Sequence, residues 1–142
     1  MLRPVGLVFG LSVLLGGCSG WSSKTDSGIV FEQIFQTPIP AGVCVHNAVH
    51  YEYNHGPLVE EWQWFVSFTP DASFEEWLLS PKSYRLQMLQ KNVDRTQWLN
   101  TAPSWFAPSG PAYEIWQTAD GSMSLVINRT TGVFFMTDYA IQ

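Results

Sequence analysis

Val43 to Thr69 reads VCVHNAVHYEYNHGPLVEEWQWFVSFT, and its alternation governs the fold. Val43, Val45, Val49, Tyr51 and Tyr53 fall on one side, with Asn47 interrupting them. Cys44, His46, His50, Glu52 and Asn54 fall between. A period of two is that of a half-buried strand. His55-Gly56-Pro57-Leu58 is a turn signal. Trp62, Trp64, Val66 and Phe68 then alternate with Glu61, Gln63, Ser67 and Thr69. Reversal across Gly56-Pro57 predicts an antiparallel hairpin in which Tyr51 faces Trp62, Val49 faces Trp64 and Val45 faces Phe68.

Beyond the hairpin, Ser73 and Glu76 have the spacing of a capping box. Phe74, Trp77 and Leu78 give that helix an apolar stripe, and Pro81 ends it. Residues 84–99 carry both periods: Tyr84, Leu86 and Met88 alternate, while Leu86, Leu89 and Val93 suit a helix, which is favoured. Residues 101–111, with three prolines, read as a loop packed by Trp105 and Phe106.

Tyr113–Thr118, Met123–Asn128 and Val133–Tyr139 read as three strands. Asp120-Gly121 favours a two-residue hairpin, and Arg129–Gly132 fits a longer loop. Trp116, Leu125, Ile127, Phe134 and Met136 then share one face, and Ile115, Val126 and Phe135 the other. A sheet apolar on both faces needs a cover on each. The expected fold is a small single α+β domain over 29–142. It combines the hairpin, a C-terminal three-stranded meander and one or two short helices. Phe31–Phe35 supplies one or two helical turns, stopped by Pro38 and Pro40.

The amino terminus has its own logic. Residues 1–18 read MLRPVGLVFGLSVLLGGC. Arg3 gives a positive start, and Val5–Leu15 is an uncharged, mostly apolar run, short of the roughly 20 residues that span a bilayer. Leu15-Gly16-Gly17-Cys18 resembles the lipobox of bacterial lipoproteins. That resemblance covers residues 1–18 only. It implies removal of a signal peptide over 1–17, diacylglycerol on the Cys18 sulfur and acylation of the new amino terminus. Ser19 resembles the residue that follows the cysteine in outer-membrane cargo. The expected location is the cell envelope, lipid-anchored to a membrane (the outer one in a Gram-negative cell), with the domain facing the aqueous compartment. Each buried methylene contributes about 0.8 kcal/mol, so two or three chains anchor stably. Residues 18–28, with SGWSSKTDSG after the cysteine, read as a flexible linker.

Charge narrows the partners. The seven Lys and Arg include Arg3, so residues 18–142 carry six basic against twelve acidic groups, a net charge near −6. Such a surface is a poor match for nucleic acid. With Cys18 acylated, Cys44 stands alone and no internal disulfide forms, so stability must come from the core. Seven tryptophans provide large areas for that core.

The polar side of the first strand offers the main candidate constellation: Cys44, His46, His50 and Glu52, with Glu61 opposite Glu52 in the expected register. Cys44 and His46 have a spacing that strands use for two zinc ligands, whereas His50 lies roughly 13 Å further along and needs a bulge to join them. A nucleophilic Cys44 would need a histidine within reach and an orienting group. A solvated sheet face accounts for the same residues without chemistry, and no metal or other cofactor is expected. Nucleophile-elbow, phosphate-loop and zinc-helix motifs are absent. The expected function is therefore non-catalytic: a membrane-anchored domain that binds an envelope protein partner. One alternative is a glycan- or peptidoglycan-binding module that stacks sugars on Trp62 and Trp105. Another is a metal protein or hydrolase using Cys44, His46 and His50.

Overall fold

The computed structural model describes residues 20–54, 56, 60–95, 102–106 and 109–141. Its strands are β1 (Gly20–Lys24), β2 (Cys44–Asn54), β3 (Glu60–Thr69), β4 (Gln87–Arg95), β5 (Ser109–Gln117), β6 (Ser124–Asn128) and β7 (Val133–Ile141), with helices α1 (Ser27–Phe35) and α2 (Ala72–Leu78). All seven strands form one sheet in the order β1-β2-β3-β7-β6-β5-β4, and every pairing is antiparallel. The α+β expectation holds in part. The hairpin, the three-stranded meander and two short helices are present, but the architecture is mostly β.

Strand β3 sits inside the sheet and is buried without interruption from Gln63 to Phe68. Both of its faces are covered. Trp64, Val66 and Phe68 point toward α1 and α2, where Val30, Phe31, Phe35, Phe74 and Leu78 meet them. Phe65 points the other way, onto Phe106 of the 102–106 segment, at 4.8 Å between ring centroids. The two faces of the meander divide as the sequence indicates: Leu125, Ile127, Phe134 and Met136 lie with the helices, and Tyr113, Val126, Ile115 and Phe135 lie opposite.

Local chemistry starts and stops the helices. Asp26 caps α1 by accepting from the Ile29 amide, and Gln36 ends it in the left-handed region. Helix α2 is capped by Asp71, not by Ser73 as the capping-box spacing suggested; Asp71 accepts from the Phe74 amide at 2.7 Å and from the Ser73 hydroxyl. Gly42 packs its backbone against this cap, and a Cβ there would lie 2.7 Å from that of Asp71. Only glycine fits that approach.

Four other expectations are corrected. Residues 20–28 are not a linker: they hold β1, paired along β2 from Asn54 to His50, and the start of α1. An edge strand pairs through its backbone, so its sequence need not look apolar. Within 84–99 the structure holds strand β4 from Gln87 to Arg95 and no helix among the described residues. Arg85 takes a positive φ, which breaks a helix, and Met88 and Leu89 are exposed, so a helix would bury no continuous stripe there. The Asp120-Gly121 turn is longer than two residues. Residues 118–123 close it, with the Thr118 amide donating to the Met123 carbonyl and Asp120 accepting from Thr118 and Ser122.

The hairpin register also differs. Val45 faces Phe68 as expected, but beyond a bulge between Val45 and Asn47 the ladder slips by one, so Val49 faces Phe65, His50 faces Trp64 and Glu52 faces Trp62. The interruption at Asn47 marks the change of phase. Past it, Ala48 faces α1 and its amide donates to the Ser27 hydroxyl at 3.0 Å.

Phe31 is fully buried and its ring meets Phe35, Phe68 and Phe74 at centroid distances of 4.4, 5.7 and 5.9 Å. Phe31→Ala is expected to destabilise the domain by about 3–5 kcal/mol. Leu89→Ser, on an exposed site, should stay within about 0.5 kcal/mol. Urea unfolding followed by tryptophan fluorescence measures both, and equal effects would contradict this assignment of the core.

Candidate functional site

The bulge in β2 decides which side chains meet. Directly opposed residues of antiparallel strands share a face. Beyond the bulge, His50 lies beside Trp64, and Trp64 lies beside Asp138 of β7. A single row thus crosses three strands on the helix-covered face. The neighbouring row places Glu52 beside Trp62 and Trp62 beside Ala140.

Helix α1 overhangs this floor and leaves a pocket of about 350 Å³. His50, Trp62, Trp64 and Asp138 come from the sheet; Gln33 and Ile34 come from α1. Tyr84 and Met123 also line it. Tyr84 is held by its hydroxyl, which donates to the Ile34 carbonyl at 3.4 Å, and by its ring against Phe35 and Trp77. Trp64 is 7 % exposed, so the pocket reaches the core.

The electrostatics follow from burial. Burial lowers the His50 pKa below its ordinary value; Glu52, whose carboxylate lies 3.3 Å from Nδ1, opposes the shift. Neutral imidazole is therefore favoured. Burial raises the Asp138 pKa, with Asp120 adding to the effect and the Tyr139 amide and the Ser122 hydroxyl working against it. Burial also pushes the Tyr84 phenol up to about 12, reinforced by Asp138. Lys24 lies 4.0 Å from Glu52, and no Lys or Arg lines the pocket among the described residues.

His50 and Asp138 stand two strand spacings apart, about 9.5 Å between backbones, with the Trp64 position between them. A general-base pair needs contact through a hydrogen bond or one water. This arrangement instead places a donor-acceptor ring and a carboxylate on either side of an indole, which suits recognition.

The sequence constellation does not assemble. His50 and Glu52 lie on the helix-covered face, whereas Cys44, opposite Thr69, and Glu61, opposite Tyr53, lie on the other. The facing pair Glu52–Glu61 does not form, because the register slip gives each an aromatic partner. His46 turns its Nε2 to the Thr69 hydroxyl at 2.9 Å, and its Nδ1 lies 4.0 Å from the exposed Cys44 sulfur. No group of three or more His, Cys, Asp or Glu side chains positioned for a metal ion occurs among the described residues. Trp62 lines the pocket, but Trp105 packs against Phe106 on the opposite face, so the two do not make one stacking platform. Cys18 lies outside the described residues.

Asp138 and Tyr84 were not singled out by sequence. Asp138 had a signal: it continues the period of Phe134 and Met136, so an acid falls on an apolar stripe. Tyr84 had none beyond its aromatic character. Comparison with family models, with curated proteins and with solved structures finds no match to this chain.

Asp138 has a folded-state pKa above its unfolded value of 3.8. The folded state thus binds the proton more readily, and this group favours folding below that value and disfavours it once the pH exceeds the raised value. Asp138→Asn should raise the Tm near neutral pH, and the gain should vanish as the pH falls toward 3.8. Thermal melts across that range check the sign; a loss of stability at neutral pH would contradict it.

Proposed function

We propose that this chain is a lipoprotein of the bacterial cell envelope, held to a membrane through acylated Cys18, that binds a small ligand and catalyses no reaction. The anchor rests on the order Leu15-Gly16-Gly17-Cys18 behind a positive start and an apolar run. No helix among the described residues is long and apolar enough to cross a membrane.

The observation that carries the binding reading is the pocket over Trp64, where apolar walls converge with a few fixed polar groups. That mixture is the usual make-up of a ligand site, and about 350 Å³ lies at the small end of such sites. Separation of His50 from Asp138, and of both from Cys44, supports binding over catalysis. A second reading, recognition of a glycan, is favoured by Trp62 at the pocket wall, since indole faces stack on sugars. An envelope protein partner remains the reading that the acidic surface supports when no small molecule occupies the pocket.

Two measurements test the proposal. Metabolic labelling with palmitate is expected to mark the chain, and Cys18→Ser should lose both the label and membrane sedimentation; a labelled variant ends the anchor reading. Native mass spectrometry of the full chain, extracted in mild detergent, should show a bound small molecule that the pocket-filling variant His50→Trp lacks. A wild-type spectrum free of ligand shifts the conclusion to a protein partner.

A further inference from the structure

Resting on the pocket reading, we propose that the ligand of this site is a small organic ammonium ion, seated between the Asp138 carboxylate and the indole faces of Trp62 and Trp64. Three observations converge. Asp138 is a half-buried carboxylate whose contacts are hydroxyl and amide donors, and no cation pairs with it among the described residues. Aromatic rings of Trp62, Trp64 and Tyr84 line the same space, and a cation over such a ring gains from about 0.5 to 2 kcal/mol as it is desolvated. No Lys or Arg side chain lines the pocket to repel a positive ligand, and burial disfavours a charged His50.

The charge of the surroundings acts in the same direction. Glu52, Glu60 and Asp120 lie near enough to influence His50 or Asp138, and the chain after Cys18 is acidic overall. Lys24, the basic group that acts on His50, is drawn to Glu52. An incoming cation is concentrated by this field. Anionic ligands meet the opposite effect. Trp64 is 7 % exposed, and its indole N–H and that of Trp62 make no hydrogen bond to protein among the described residues. A ligand with an acceptor, such as an amino alcohol, would satisfy a donor there while its ammonium group meets Asp138. Asp138 thus costs stability in the empty protein and gains a partner when the cation enters, a common trade at binding sites.

The test titrates the full chain, in a polyoxyethylene detergent without charged or sugar headgroups, with tetramethylammonium, choline and n-butylammonium. Choline is paired with 3,3-dimethyl-1-butanol, which has the same shape and hydroxyl but no charge. Calorimetry should show saturable binding of at least one cation, and at least ten-fold weaker binding of the neutral isostere. Asp138→Asn should weaken the cation at least ten-fold and leave the isostere unchanged. Trp62→Leu should also weaken the cation, with both variants checked for fold by circular dichroism. Equal binding of choline and its isostere overturns the cation and leaves the pocket as a binding site. Binding of a chitin disaccharide with none of the three cations does the same and favours the glycan. No binding of any probe, together with an empty native mass spectrum, overturns the pocket reading as well.

Discussion

Strand β3 is buried on both faces, and the other elements take their places from that constraint. A strand apolar on one side needs one cover, whereas Trp64, Val66 and Phe68 on one side and Phe65 on the other need two. Helices α1 and α2 fill the first role with Phe31, Phe35 and Phe74, whose rings each meet Phe68 edge-on. The 102–106 segment fills the second with Phe106. Aromatic packing of this density supplies the area that a disulfide-free domain requires. Arg129 then joins the helix to the meander at the surface, between Glu75 of α2 and Glu114 of β5.

The same two-sided burial explains what sequence could and could not reveal. Both strands of the hairpin, their reversal and the two faces of the meander were legible, because each rests on a period of two. The register of the hairpin was not. Register is fixed by apolar pattern only where one face is buried and the other is not, and β3 is buried on both. A one-residue slip was therefore inexpensive, and the bulge near His46 absorbed it. Its trace in the sequence was the misplaced Asn47. The candidate polar face dissolved for this reason: Cys44 precedes the bulge, His46 is the unpaired residue within it, and His50 and Glu52 follow it. Strand β1 and strand β4 were hidden by a different cause. Edge strands are held by backbone pairing, which leaves little imprint on side-chain pattern.

The site follows from the slip. Without it, His50 would stand on the side away from α1, and the row His50–Trp64–Asp138 would not exist. With it, two ionisable groups are held apart by an indole, each tuned by burial toward its neutral form. Groups spaced in this way recognise the ends of a ligand better than they pass a proton. Half of this arrangement was in reach of sequence, through His50 and Trp62. Asp138 was reachable only by asking why an acid continues an apolar stripe.

Strand β4 is the last strand on one side of the sheet, and its pairing with β5 breaks register three times. Its matched residues come in runs of two at most. A copy of the chain approaching that rim would find hydrogen-bonding groups in phase for only a residue or two before losing step. A regular rim would invite neighbouring copies to zip together into a continuous ribbon. An irregular rim lets neighbours collide and part.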